Sequence, residues 1–304
     1  MKNNENRIYD MVIIGGGPAG YTAALYAARA GMDALVLEKF SAGGQMAQSH
    51  KIDNYPGFED GIDGFSLSMK MQQGAENAGA RSIYAEVSRV ELNANPKRIE
   101  TSEGVFLAKT VVIATGAGPR ELGAAGEQDL IGRGVAYCAA CDGMFYRNKV
   151  VAVVGGGNSA VSDALLLSRV AKKVYLIHRR DSLRAEKVYL SQLEKAENLE
   201  FRWNSQVEEL IYDEVLRGIR LRDGSELAVD GLFVSVGRKP ATELVRGQLE
   251  LDPGGYIIAD ESTKTNIPGV YAVGDVRTKE LRQIVTAVAD GAVAVHHAQH
   301  LLDG

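Results

Sequence analysis

Two cysteines stand three positions apart in Tyr137-Cys138-Ala139-Ala140-Cys141-Asp142-Gly143, and the chain has no others. Thiols at this spacing close a small disulfide ring that opens and re-forms readily, because each sulfur stays near the other during exchange. A lone pair of this kind reads as redox chemistry rather than as a structural staple. Structural zinc needs four ligands, and His296, His297 and His300 fall far along the chain in a predicted helix. Two inert core cysteines are the plain alternative. Asp142 follows the pair directly. A carboxyl there can hand a proton to a leaving thiolate if burial lifts its pKa, or it can begin an Asp-Gly turn. The residues alone leave both readings open.

Two glycine-rich turns suggest where electrons come from. Gly15-x-Gly17-x-x-Gly20 follows the apolar run Asp10 to Ile14 and precedes an alanine-rich helical stretch, about Tyr21 to Ala30, ended by Gly31. In that context Gly15 permits a tight turn, Gly17 lets the backbone approach a pyrophosphate, and Gly20 lets helix and strand pack closely. Pro18 and Ala19 lie at the helix start, where unpaired N–H groups favour phosphate. Glu38 comes 23 residues after Gly15, at the end of the predicted strand Ala34 to Leu37 and before Lys39. A carboxylate at that position suits a ribose hydroxyl.

The pattern returns as Gly155-x-Gly157-x-x-Ala160, with Asn158 and Ser159 inside it, after the strand-like run Val150 to Val154 and before a helical stretch, Val161 to Val170. Counting 23 residues from Gly155, past the strand Lys173 to Ile177, reaches His178, followed by Arg179, Arg180 and then Arg184. Where the first site has a carboxylate, the second has a basic cluster. Guanidinium groups clamp a 2′-phosphate that a carboxylate would repel. The expectation is an unphosphorylated adenosine at the first site and NADPH at the second. The alternatives are a glycine turn without a ligand and a solvated basic surface.

These residues need two strand–turn–helix–strand units to position them, so the expected fold class is α/β. It would hold two doubly wound, Rossmann-like dinucleotide-binding domains, the second inserted into the first. Further strands are expected at Thr110 to Gly116, Gly231 to Val236 and Gly269 to Asp275, with a long buried helix from about Ile284 to Leu302. The crossings are expected near Gly118 and Ala241, beside Pro119 and Pro240, giving 1–117 with 242–304 as one domain and 118–241 as the other. The 304 residues suffice for two such domains, and a net charge of −5 gives no general attraction for nucleic acid or anionic membrane. No run approaches the ~20 apolar residues needed to span a bilayer. The N-terminal MKNNENRIYD lacks the apolar core of a secretory signal.

In combination these features make the chain similar, over essentially its whole length, to the low-molecular-weight bacterial thioredoxin reductases. The matching stretches are the GGGPAG turn, Gly43-Gly44-Gln45, Asn54-Tyr55-Pro56-Gly57, CAACDG, GGGNSA, HRRDSLRA, Val273-Gly274-Asp275, and Arg282-Gln283 before the last helix. The resemblance implies FAD at the first site, with Glu38 on the adenosine ribose and Asp275 on the ribityl chain. Gln45, Asn54 and Gln283 would surround the isoalloxazine, and Thr115, Gly116, Gly274, Arg282 and Ile284 join the candidate cofactor contacts. It also implies that Cys141 takes electrons from the flavin, Cys138 attacks the disulfide of thioredoxin or a thioredoxin-like protein, and Asp142 is the acid–base group. A cytoplasmic homodimer is implied as well. Because cysteines and NADPH fingerprint share one inserted domain and serve one flavin, that domain is expected to rotate about its two crossings. Where the family usually has two acidic residues this chain has Ser162 and Asp163, so the pattern departs at Ser162, and it departs again at Leu183, where an aromatic is usual. The alternative function is a dithiol oxidase or reductase of the same build, acting on a small-molecule dithiol or taking electrons from a donor other than NADPH.

Overall fold

A computed structural model describes residues 7–49, 51–185, 192–193 and 195–304. The polar run Met1 to Asn6, read above against a secretory signal, lies outside them. The chain divides into two compact units: Met1–Gly118 with Lys239–Gly304, and Pro119–Arg238.

The first unit opens with β1 (Ile8–Ile14), α1 (Pro18–Arg29) and β2 (Ala34–Glu38). Next come α2 (Gly64–Asn77), β3 (Arg81–Tyr84), β4 (Val87–Glu91), β5 (Lys97–Thr101) and β6 (Gly104–Ile113). The first crossing is β7 (Ala117–Pro119). The inserted unit then runs through β8 (Val135–Ala136), the one-turn helix α3 (Ala139–Asp142), β9 (Val150–Val154), α4 (Asn158–Ser168), β10 (Lys173–Ile177) and β11 (Leu199–Arg202). It ends with β12 (Val207–Tyr212), β13 (Leu216–Leu221), β14 (Glu226–Ala228) and β15 (Gly231–Val234). The return crossing is β16 (Arg238–Pro240), after which β17 (Val270–Ala272) and α5 (Ile284–Asp303) complete the first unit. The two crossings pair with each other as a two-stranded ribbon.

In the first unit the strand order is β3-β2-β1-β6-β5-β4, with β17 also on β6. β1, β2, β3, β6 and β17 pair in parallel, whereas β4, β5 and β6 are antiparallel. β1 is buried on both faces, as a central parallel strand must be. Val12 and Ile14 join one core, Met11 and Ile13 the other. Deleting such a side chain, Ile13→Ala for example, costs about 2–5 kcal/mol. The alanines of α1 serve close packing. A Cβ added at Gly291 of α5 would fall on the Ala19 carbonyl, so only small residues let these helices meet.

In the inserted unit the order is β11-β10-β9-β15-β8, all parallel. Val151 and Val153 face one core while Ala152 and Val154 face the other. The antiparallel sheet β12-β13-β14 contributes Leu210, Ile219 and Leu227 to the second of these cores.

Observed bounds differ modestly from the expected ones. The strand anticipated over Gly269 to Asp275 is β17 alone, and the chain then bends into a 3₁₀ turn, Gly274–Val276. Gly274 has φ 73°, which interrupts extended pairing. The last helix is only partly buried, since Val285 and Leu301 are exposed.

Candidate active site

In the first unit, Gly15 ends β1 at φ 108° and its N–H reaches the Leu37 carbonyl at 2.9 Å. A side chain here would collide with the Ala114 backbone, and one at Gly20 with the Gly15 carbonyl. These two glycines are therefore required by packing. Gly17 differs: a Cβ there would meet nothing within 4 Å. It is the N-cap of α1, provides no side-chain cap and is followed by Pro18 at the start of the helix. Gly44 faces it, its Cβ position 4.0 Å from the Gly17 Cα. Gly43 is held by its N–H to the Gly16 carbonyl at 2.7 Å. An uncapped helix start between glycines that present bare backbone fits a pyrophosphate.

Glu38, at the tip of β2, accepts from Gly16 N–H at 2.6 Å and from the Lys39 and Phe40 N–H groups at 2.8 and 3.2 Å. Three backbone donors hold the carboxylate in place, with lone pairs left for hydroxyl donors. The Lys39 ammonium turns to Glu86 at 2.6 Å.

The remaining candidates of this unit fall into three places. Gln45 donates to the Ala117 carbonyl, Thr115 Oγ1 donates to the Ala241 carbonyl at 2.7 Å, and Gly116 sits between them at φ 73°. Asn54 Nδ2 donates to Gln283 Oε1 at 3.1 Å. Gln283 also caps α5 reciprocally with Thr286, leaving Ile284 as the first helical residue. Gly274 lies against Ala19, a Cβ there coming within 3.1 Å of the Ala19 methyl group, so the half-buried Asp275 follows a turn that touches the start of α1. Arg282 donates to the backbone carbonyls of Asp275 and Arg277, and its guanidinium lies 4.1 Å from the Tyr256 ring centroid.

Beneath this turn is a charged group that the sequence reading missed. Asp290 of α5 accepts from Gly274 N–H at 2.8 Å, from Arg277 Nε and Nη2 at 3.0 and 2.9 Å, and from Lys279 Nζ at 2.8 Å. All three side chains are buried. Burial acts to raise the Asp290 pKa, but its two cationic partners win and hold it below the ordinary value. Only the i, i+2 pair of cations was visible in the chain; its acid partner lies on another element.

In the inserted unit, Cys138 and Cys141 form a disulfide with Cα atoms 5.3 Å apart. Cys138 is the N-cap of α3 and accepts from the Cys141 N–H on its sulfur at 3.2 Å. Asp142 closes the same turn, with its N–H on the Cys138 carbonyl at 3.0 Å. Gly143 has φ −57°, an ordinary helical value, so the chain runs on into a 3₁₀ turn and the Asp-Gly turn is not formed. A Cβ at Gly143 would sit tightly, 3.2 and 3.3 Å from the Leu167 and Leu166 methyl groups of α4. The Asp142 charge, after burial, helps push the Tyr146 hydroxyl up to about 12.

The second glycine turn repeats the first. Gly155 has φ 154° and its N–H meets the Ile177 carbonyl at 3.1 Å. Gly157 again is an open, uncapped helix start, with Asn158 and Ser159 exposed and Ala160 buried. His178 departs from its expected place in the basic cluster. Its ring occupies the space a Cβ on Gly156 would need, and it is only 6% exposed. Burial first, then Arg180, Arg184 and Arg179, lowers its pKa, so it packs as a neutral ring. The three arginines are exposed, and Arg184 is anchored by its N–H on the Gly156 carbonyl at 2.7 Å. The positive charge beside this turn is thus carried by Arg179, Arg180 and Arg184.

Comparison with known proteins agrees with this chemistry. The family model described as pyridine nucleotide-disulphide oxidoreductase matches residues 9–291. A thioredoxin reductase of Listeria monocytogenes is 46% identical over 306 residues, covering 99% of this chain and 96% of that protein. One from Peptoclostridium acidaminophilum is 41% identical, covering 97% and 98% respectively. The crystal structure of thioredoxin reductase from Streptococcus pyogenes superposes with a TM-score of 0.90 at 43% identity, covering 98% of this chain and 99% of that one. The chain belongs to the pyridine nucleotide-disulphide oxidoreductase family.

Proposed function

We propose that this protein is an NADPH-dependent thioredoxin-disulfide reductase, passing electrons from NADPH through FAD and the Cys138–Cys141 disulfide to thioredoxin or a thioredoxin-like protein. The observation that carries this reading is the contrast between two like turns. One ends in a carboxylate, Glu38, held by three N–H groups; the other is flanked by Arg179, Arg180 and Arg184 and shares its unit with the disulfide.

FAD, when bound, supplies a two-electron carrier between a hydride donor and a disulfide. The bare backbone at Gly17 and Gly44 would hold its pyrophosphate and Glu38 its ribose. Asp275, after a turn that touches the start of α1, would hold its ribityl hydroxyls. Arg179, Arg180 and Arg184 bind the 2′-phosphate of NADPH, while Gly157 opens the α4 start to its pyrophosphate.

Cys141 is the electron-accepting sulfur and Cys138 the nucleophile toward the partner's disulfide. Asp142 holds the proton that the leaving thiolate takes. Met144 and Phe145, exposed just beyond the pair, offer an apolar contact for the partner. Among the described residues no helix is long and apolar enough to cross a membrane. A cytoplasmic homodimer is part of the proposal.

The test is a coupled assay with oxidised thioredoxin. NADPH consumption should depend on thioredoxin and vanish in Cys138→Ser. Consumption that is indifferent to thioredoxin, or that proceeds with a small dithiol and oxygen alone, would favour the dithiol oxidase reading.

A further inference from the structure

Trp203 is the chain's one tryptophan, and it stands just beyond β11 with 37% of its surface exposed. Tryptophan is highly buried on average, so an indole this open at a sheet edge is unusual. The backbone fixes its place. The His178 N–H donates to the Arg202 carbonyl at 2.9 Å, and the Ser205 N–H donates to the His178 carbonyl at 3.0 Å. These two bonds bracket Trp203 and set it opposite His178 on the neighbouring strand. Asn204, at φ 52°, then turns the chain so that its N–H reaches the Arg180 carbonyl at 3.1 Å. Trp203 is thereby tied on both sides to the arginine turn.

Its side chain lies on the α4 face of the sheet. Leu176 pairs with Phe201, and both pack into the core that α4 covers, so strand alternation carries His178 and Trp203 to the same face. The Phe201 and Trp203 rings are stacked, with centroids 4.8 Å apart and planes 6° from parallel. Phe201 thus backs one face of the indole. The first unit holds an aromatic in the matching place. Tyr84 pairs with Glu38, the residue that ends β2, and is 51% exposed. The Ala85 N–H donates to the Glu38 carbonyl at 2.8 Å, as the Ser205 N–H does to that of His178. Both units therefore put an exposed aromatic at the carboxyl edge of the sheet, where doubly wound folds bind nucleotides.

We propose that Trp203 is the platform on which the adenine ring of the pyridine nucleotide stacks. The inference rests on the NADPH reading of Arg179, Arg180 and Arg184. Base and 2′-phosphate are carried on adjacent carbons of one ribose, so a platform for the base must lie beside the groups that bind the phosphate. An adenine presents the same π-face with or without that phosphate. The indole accordingly contributes to NADPH and NADH alike, whereas the arginines tell them apart.

The test uses the full-length, flavin-loaded protein. 2′,5′-ADP, which carries base and 2′-phosphate without nicotinamide, is titrated by calorimetry and by Trp203 emission excited beyond the adenine absorption. In the parent the emission should fall in step with calorimetric saturation. Trp203→Ala should weaken 2′,5′-ADP by roughly five- to thirtyfold and raise KM for NADPH and for NADH by the same factor. Trp203→Phe keeps a π-face and should recover most of the loss. A loss confined to NADPH would mean that Trp203 only shapes the arginine turn, and would overturn the stacking. Unchanged affinity in Trp203→Ala, or binding in the parent that leaves the emission unmoved, would overturn it too. If the parent does not bind 2′,5′-ADP at all, the NADPH reading itself fails, and that result differs from each of the others.

Discussion

Glu38 and Gly16 are joined by a 2.6 Å hydrogen bond, from the Gly16 N–H to the carboxylate at the end of the neighbouring strand. At the equivalent place in the inserted unit, His178 meets Gly156 by packing its ring against the glycine, with no such bond. One frame thus carries two electrostatic settings. An acceptor held by backbone donors suits a ribose with free hydroxyls, and exposed arginines suit a phosphate.

Glu38→Gln should therefore weaken FAD retention more than it weakens the fold. The loss of a charged acceptor is worth about 1.5–3 kcal/mol, roughly ten- to a hundredfold in affinity. Equilibrium dialysis of the flavin checks this, with circular dichroism as the control for folding. Unaltered retention would remove Glu38 from the ribose.

Arg179→Ala combined with Arg180→Ala should raise KM for NADPH far more than KM for NADH. Only the phosphorylated nucleotide presents a dianion for guanidinium groups to bind. Steady-state kinetics with both donors decides it. An equal loss for the two would mean that the arginines do not read the 2′-phosphate.

Cys138→Ser and Cys141→Ser should each abolish thioredoxin reduction while NADPH still bleaches the flavin at close to the parent rate. The two half-reactions use different groups. Anaerobic stopped-flow absorbance separates them. Loss of flavin bleaching in either variant would contradict the division of labour.

Asp290 bears on stability. Asp290→Asn leaves Arg277 and Lys279 buried without their acid and should destabilise the protein by about 3–5 kcal/mol. The effect also depends on pH. The folded pKa lies below the unfolded value of 3.8, so the carboxylate's contribution is complete above that value and is lost as pH falls through the lower folded one. Urea melts at neutral pH and near pH 3 should accordingly show a gap between parent and variant that narrows in acid. A gap constant with pH would mean that the pair does not act through its charge.

The local features were legible in the chain because each is written within a few residues. The cysteine spacing, the glycines that end β1 and β9, and the alanines of α1 announce themselves in this way. Contacts between distant residues were not. Asp163 accepts the Ser235 hydroxyl across 72 positions, and Asp290 meets Arg277 across 13. Neither spacing follows from a helix or strand period, so only the packed fold reveals the pair. The antiparallel sheet β12-β13-β14 went unread for a related reason. Val207–Tyr212 carries adjacent exposed glutamates where clean alternation would mark a strand, and its register shifts there. The burial of His178 was not legible either, because basic character in sequence does not reveal burial, and it is burial first that lowers its pKa.

The central claim is that one chain joins a pyridine nucleotide, a flavin and a cysteine bridge. Anaerobic titration of the purified yellow protein with NADPH tests it most directly. The account predicts uptake of about two equivalents per chain, one electron pair for the flavin and one for the disulfide, falling to about one in Cys141→Ser. Oxidised thioredoxin should then restore the colour of the fully reduced protein. A protein that is colourless and cannot be reconstituted with FAD, or one whose uptake is the same with and without Cys141, would contradict it.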